Sequence, residues 1–413
     1  MKHRLIRLLV SSAAAALVLT SLPAAQAATT IVVDGDGFAS SGDCDDAVTP
    51  AEVTIQDGVD AAVAGDTIEV CPGPYAESVT VSTPNLTILG AQSGVDARTR
   101  AVPLSQESRV NPPATLPGFS LQANRIVLDG FTVRNATDNA GISTSPLSDG
   151  YHVQNNIVTE NTFGLYLHSA GDRKTIVRFN RFTDNNEAGS ASGNGIYSDQ
   201  GAQGILVRVN AFSDHLNGAV LFAFSGPSDN SDVIIENNRS TNDANFVNLF
   251  EASDFSILGN RTVDNLNADD GSQGSAIRVG GQSDGVLIED NRLQNPAFSG
   301  VSVRDDGFGT GVSNIDIIAN TVLNAEANGI DVSSAVPAVV QARGNTLRDN
   351  DVNGILFDAA TSDNSIRRNT SLNNGDFDCR DASTGPHTAG TANFWRRNVG
   401  ETASPDGICD LPA

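Results

Sequence analysis

The sequence predicts an all-β fold, a single-stranded parallel β-helix in which short coils stack along one axis. Three observations predict it. An asparagine recurs every 22–31 residues behind an apolar, β-branched segment, and the side chains before it alternate with period two. No window in residues 120–370 is long and periodic enough for the crossover helices of a β/α array. With 39 glycines and 5% aromatics, 413 residues fit a repeat better than two or three globular domains.

Taken in order, the first element lies outside the mature fold. Lys2, Arg4 and Arg7 precede an apolar run from Leu8 to Leu22, and Ala25-Gln26-Ala27 has the small-x-small form of a cleavage site. Residues 1–27 therefore read as a secretory signal peptide. No later stretch approaches ~18 uninterrupted apolar residues, so release as an extracellular protein without a transmembrane segment is expected. Cleavage takes the net charge from −24 to −27, three basic residues and no acid being lost. Such a surface argues against nucleic acid, whose binding draws on neutralised phosphates. It also repels polyanionic polysaccharide unless Ca²⁺ bridges the two or a local arginine patch takes over. Lysine occurs only at Lys2 and Lys174, which leaves arginine as the working cation. A monomer is the default expectation.

Residues 28–95 are expected to form the N-terminal cap and first coil. In "TIQDGVDAAVA" (54–64), Ile55, Val59, Ala62 and Val63 share one helical face, with Thr54 as N-cap, so a short helix covers the open end. The run "VDGDGFASSGDCDD" offers Asp34, Asp36, Asp43, Asp45 and Asp46 as hard oxygens for Ca²⁺, the one cofactor considered. It lacks a twelve-residue loop ending in Glu, and a solvated edge is the plainer reading. Cys44, Cys71, Cys379 and Cys409 sit as two pairs near the two ends. Two disulfides are expected in an exported chain, and of the three connectivities pairing within each end is preferred. Spacings of 27 and 30 residues lack the close knuckle of a zinc site.

Residues 96–375 are expected to hold the coils. The recurring asparagines are Asn156, Asn180, Asn210, Asn238, Asn260, Asn291, Asn320, Asn345 and Asn369. Three residues before them stand Val153, Val177, Val207, Ile235, Ile257, Ile288, Ile317, Ala342 and Ile366, an apolar row facing inward. An amide at the same corner of every coil can bond to its neighbours and to the bend's backbone, so these asparagines read as a structural ladder. The sequons starting at Asn238, Asn260 and Asn369 are then by-products of the repeat. A second, glycine-led strand follows in each unit: "GLYLH", "GIYSD", "GAVLF", "GVSVR", "GIDVS" and "GILFD". Residues 376–413 break the pattern, hold the single Trp395 and the second cysteine pair, and read as a C-terminal cap.

The segment "TIQDGVDAAVAGDTIEVCPGPYAESVTV" followed by asparagine-laddered coils resembles the secreted right-handed parallel β-helix repeat proteins. That pectate-lyase-like group includes pectate lyases, polygalacturonases, alginate epimerases and many uncharacterised bacterial repeat proteins. The resemblance implies a right-handed solenoid whose active site, if any, lies on the outer face of one parallel sheet. It covers nearly the whole mature chain but hosts several chemistries. Of the polygalacturonase signatures N-T-D, D-D, G-H-G and R-I-K only a D-D is present, at Asp305-Asp306 or Asp269-Asp270. The epimerase D-P-H is absent, and no single segment matches the acids and arginine of pectate lyases.

Alternation in the glycine-led strands nominates Tyr166, His168, Tyr197, Asp199 and Phe222 on neighbouring coils, with Asn248, Arg278 and Arg304 further along. Aromatic faces for sugar stacking, an acid/base pair and arginines for a carboxylate suit a glycan. His215 and His387 lack a metal-spaced partner and read as surface or cap residues. Binding of extracellular or cell-wall polysaccharide is the preferred function. The alternatives are a polysaccharide lyase, epimerase or hydrolase acting on a uronate-containing glycan, and a structural or adhesin-like surface protein.

Overall fold

The computed structural model describes residues 27–223, 229–266, 274–305, 311–333 and 339–412. The leader expected at 1–27, save Ala27, lies outside the described residues, as do Asp269, Asp270 and Asp306. Each complete coil contributes one strand to each of three parallel sheets, and the two ends are incomplete. Sheet I has 14 strands, from Thr30–Val33 to Phe394–Arg396; sheet II has 12, from Gly73–Tyr75 to Thr370–Leu372; sheet III has 13, from Val79–Val81 to Ala403–Ser404. Every strand pairing is parallel and joins successive coils, so the fold is the expected β-solenoid.

The inward row of sheet I is in register from Val153 through Val177, Val207, Ile235, Ile257, Ile288, Ile317 and Ala342 to Ile366. All nine are fully buried. β-Branched residues dominate because they fill a pleated surface with little rotamer loss. No coil could bury this row alone; stacking removes it from water on both sides.

The asparagines form the corner between sheets I and II. Asn320 N–H and Nδ2 donate to Asn345 Oδ1 at 2.9 and 3.2 Å, and its Nδ2 also donates to the Ile288 carbonyl at 2.8 Å. The same bonds link Asn156 to Asn180 and run on to Asn369, which donates to a tenth rung, Asn398, inside the expected C-terminal cap. The residue before each rung has positive φ, and at Val209 (φ 55°) this is a side chain that disfavours it. Ladder bonds hold the corner there against a cost of about 1–2 kcal/mol.

Glycines at the start of sheet III have a separate cause. A Cβ on Gly164 would stand 2.4 Å from the Gly195 carbonyl, and one on Gly329 would stand 2.6 Å from that of Gly354. Coils approach too closely there for a side chain.

Helix α1 spans Ile55–Ala61 over the first coil, with Thr54 Oγ1 accepting from Asp57 N–H at 3.0 Å. The Glu77 carboxylate, reaching from the first coil, accepts from Ile55 and Gln56 N–H at 2.8 and 2.9 Å. Ile55 and Val59 are buried, but the helix ends before Val63, which is 42% exposed rather than part of the packed face. Disulfides join Cys44 to Cys71 and Cys379 to Cys409, one near each end. Strands Phe377–Asp381 and Phe394–Arg396 carry the sheets through the C-terminal segment, where Trp395 Nε1 donates to Asp381 Oδ2 at 2.7 Å. Among the described residues no helix is long and apolar enough to cross a membrane.

Candidate functional site

Sheet III turns alternate side chains outward, and its register puts Ser143, Tyr166, Tyr197, Leu221, Asn248, Arg278, Ser302 and Asp331 in one row on successive coils. Of the nominated residues, Tyr166, Tyr197, Asn248 and Arg278 stand in this row, and the polar side chains on and beside it fall into two groups.

The first group surrounds Asp199. The rings of Tyr166 and Tyr197 stack at 5.9 Å and 19°. Their hydroxyls donate to the two oxygens of Asp199, at 2.5 and 3.1 Å, while Gln200 Nε2 donates to the Tyr166 hydroxyl at 2.6 Å. Burial, with the Asp199 charge adding to it, pushes the Tyr197 phenol up to about 12 and raises Tyr166 as well. Both phenols are thus protonated donors at neutral pH.

His168 packs edge-on against Tyr166 at 4.1 Å and is only 1% exposed, so it is no surface contact residue. Its Nδ1 lies 3.1 Å from the Thr144 carbonyl, which makes Nδ1 the protonated nitrogen. Nε2 is left without a hydrogen-bond partner, 3.7 Å from Asp199 Oδ1. Burial holds His168 below its usual value, outweighing Thr144 and Asp199. The result is a neutral ring with an unused acceptor. Beside it opens a cleft of about 360 Å³ lined by Tyr166, His168, Gln200 and the hydroxyls of Ser120, Ser143 and Ser145.

Two more of the nominated residues, Phe222 and Asn248, stand differently from expectation, and the two arginines stand far from the tyrosines. Phe222 points inward, is fully buried and packs edge-on against Phe255 at 5.0 Å. In its strand the glycine comes one residue early: Gly218 pairs with Asn194, so Leu221 and not Val220 stands in the Tyr197 row. Asn248 lies in the expected row but is 2% exposed. Arg278 and Arg304 are four and five coils beyond Tyr166, about 19–24 Å at ~4.8 Å per coil. They cannot meet the same sugar as Tyr166 or His168.

The second group forms around Arg304, whose guanidinium lies over the Phe298 ring at 5.1 Å and reaches Asp331 Oδ2 at 3.3 Å. Asp331 is 2% exposed and also accepts from the Ser333 hydroxyl. Asp358, on the next coil, is raised above the usual carboxylate range by burial, with Asp331 adding to the rise and Arg304 opposing it.

Asp331 and Asp358 lie in the glycine-led strands "GIDVS" and "GILFD" but are not nominated from the sequence, and Ser143, Thr144 and Gln200 are missed. "GISTS" (141–145) carries the same glycine-led alternation one coil earlier and could have supplied the first two. His215 is not at the surface. It is fully buried in a second corner ladder, with Nδ1 2.6 Å from Asp243 Oδ1 and Nε2 3.2 Å from Asn185 Nδ2. His387 lies against Phe394 at 3.8 Å in the C-terminal segment. The acidic run suggested for Ca²⁺ does not converge: Asp36, Asp43 and Asp46 accept from the backbone N–H groups of Phe38, Asp45 and Val48. Among the described residues no three His, Cys, Asp or Glu side chains gather as a metal site.

Residues 194–371 match a family model described as a right handed beta helix region. Among solved structures, the chain is similar to the catalytic unit of a thermostable GH87 alpha-1,3-glucanase from Streptomyces thermodiastaticus strain HF3-3. The identity is 15% over 85% of this chain and 66% of that one, with a TM-score of 0.53. It is also similar to the catalytic domain of a GH87 alpha-1,3-glucanase variant in complex with nigerose, at 14% identity over 83% of this chain and 66% of that one, TM-score 0.54. The chain spans just under two thirds of the length of each. At these identities the likeness is one of fold. No curated protein matches the chain.

Proposed function

We propose that this right-handed parallel β-helix is an exported polysaccharide-binding protein, with the glycan seated in the sheet III cleft beside Tyr166 and Tyr197. The observation that carries this reading is the stacked tyrosine pair clamping Asp199 next to a cleft lined with serine hydroxyls. Tyr166 and Tyr197 give ring faces for sugar stacking, Gln200 Nε2 has a second N–H to donate, and the serine hydroxyls of the cleft can both donate and accept. Among the described residues the cleft lining carries no cation to draw an anionic sugar, and the Asp199 carboxylate is already held by both phenols. The group therefore suits uncharged sugars, a class to which the glucanase likeness lends general support. A calorimetric titration with a panel of neutral oligosaccharides tests it. Tyr197→Ala, which removes a ring and one Asp199 bond, should weaken binding about tenfold, on the order of one strong aromatic contact. Absence of binding to every glycan, or binding indifferent to Tyr197, would leave only a structural role. The leader is tested by sequencing the N-terminus of protein recovered from culture medium.

The Asp331–Asp358 pair supports a hydrolase as second reading. One carboxylate is held beside a guanidinium and the other is pushed up by burial, the division of labour a glycosidase acid and base need. On that reading Asp358→Asn abolishes release of reducing ends while leaving binding in the tyrosine cleft intact. A lyase or epimerase that pairs Arg278 or Arg304 with Tyr166 or His168 is disfavoured by their four- to five-coil separation.

A further inference from the structure

The C-terminal end of sheet I carries a cluster of positive charge that the tyrosine cleft does not use. Arg343, Arg367 and Arg396 stand in register on three successive coils. Arg368 and Arg397 follow them at the positive-φ corner positions, and all five are exposed. Coils ~4.8 Å apart set like charges directly above one another, an arrangement that costs stability. Earlier in the same row such charges are relieved: Arg178 Nε donates to Gln154 Oε1 at 2.9 Å, and Arg208 lies 3.5 Å from Glu236. At the C-terminal end one glutamine contact remains and no described acid takes part. Arg367 Nη2 donates to Gln341 Oε1 at 3.0 Å, and none of the five arginines forms an ion pair with a described acid.

These side chains line a cleft of about 420 Å³, walled on one side by Phe394. That ring is 48% exposed and rests on His387 at 3.8 Å, which is held in turn by Asp363 at 3.4 Å. Stacked guanidiniums and an exposed, supported aromatic face thus share one groove, in a chain whose net charge is −24.

The geometry points to a second binding site here, for an acidic polysaccharide such as a uronate chain. Guanidinium forks match carboxylates bidentately, and Phe394 supplies a surface for a sugar ring. Successive coils present the arginines in a line, as a polymer with a charge on each sugar requires. The acidic remainder of the molecule repels such a chain, which confines it to this end. The site is independent of the sheet III reading: a different sheet, a different charge class and different residues.

The test is a titration of the full chain with a defined oligogalacturonate, against a neutral malto-oligosaccharide, a short DNA duplex and vesicles containing phosphatidylglycerol. Oligogalacturonate should bind best, with affinity falling as salt rises. The Arg367→Glu/Arg396→Glu double variant should lose at least about tenfold and flatten the salt dependence by roughly one unit per arginine. Arg208→Glu, in the same row but outside the cleft, should change neither. Arg367→Gln relieves the stacked charges, so its melting temperature should hold or rise while binding weakens, separating recognition from folding. Binding that ignores the cleft arginines, or a preference for the duplex or the vesicles, overturns the proposal.

Discussion

Asn320 illustrates what a single residue does in this fold. Its Oδ1 accepts both the N–H and the Nδ2 of Asn291, at 3.0 Å each, and its own N–H and Nδ2 serve Asn345 and Ile288. Asn320→Leu would strand the buried backbone N–H of Asn291, whose Nδ2 keeps the Ile257 and Glu289 carbonyls, and would leave the Ile288 carbonyl without its side-chain partner. At ~1–3 kcal/mol for each group left unsatisfied, chemical denaturation should show a loss of several kcal/mol, with no direct effect on either proposed ligand. His168 sets a pH limit by a different route. It is buried neutral and held below its usual 6.5, and half-buried His152 is depressed by burial and by Arg178. As pH falls through 6.5 the unfolded chain takes up protons that the folded chain refuses. Stability should therefore decline below that pH, by up to ~1.4 kcal/mol per unit for one proton. His168→Gln should shallow the decline in a urea-melt series, leaving the part due to His152.

At the scale of elements, legibility followed backbone constraint. The Val153-to-Ile366 row and the asparagine ladder could be read because burial and hydrogen bonding demand one residue type per coil. The strand at 218–222 could not, since aligning on glycine assumes that the close approach always uses glycine. Ala219 fills that position here, and the shift of one residue turns Phe222 from face to core. Burial of His168 and His215 was equally illegible: both depend on contacts with neighbouring coils, Thr144 for one and Asn185 and Asp243 for the other. Helix α1 was legible from its N-cap and apolar spacing, though not the contribution of Glu77. A seven-residue helix has little stability of its own, and Glu77 ties its first turn to the first coil. Thr54→Ala should cost about 1 kcal/mol, whereas Glu77→Ala removes the acceptor of two N–H groups and should cost more. Hydrogen exchange should then rise in residues 55–61 while sheet I around Ile257 stays protected.

For the whole molecule, the three corners differ in tolerance. Two residues separate sheet I from sheet II in each of the nine coils between Gln154 and Thr370, always a positive-φ residue and a ladder asparagine. The other corners vary freely, as between Thr183 and Asn194. Four Gly/Ser residues inserted between exposed Gly189 and Ser190 should shift the melting temperature by only a few degrees, since lengthening a surface loop costs little. The same insertion between Asn180 and Arg181 should prevent folding, because it breaks the ladder and the register above it. The invariant corner also supplies a rule for comparing distant sequences. Homologous solenoids should align without gaps across the positive-φ–asparagine pair and accumulate their length differences elsewhere. Coils can then be matched one to one even at 15% identity, where overall sequence similarity no longer guides the alignment.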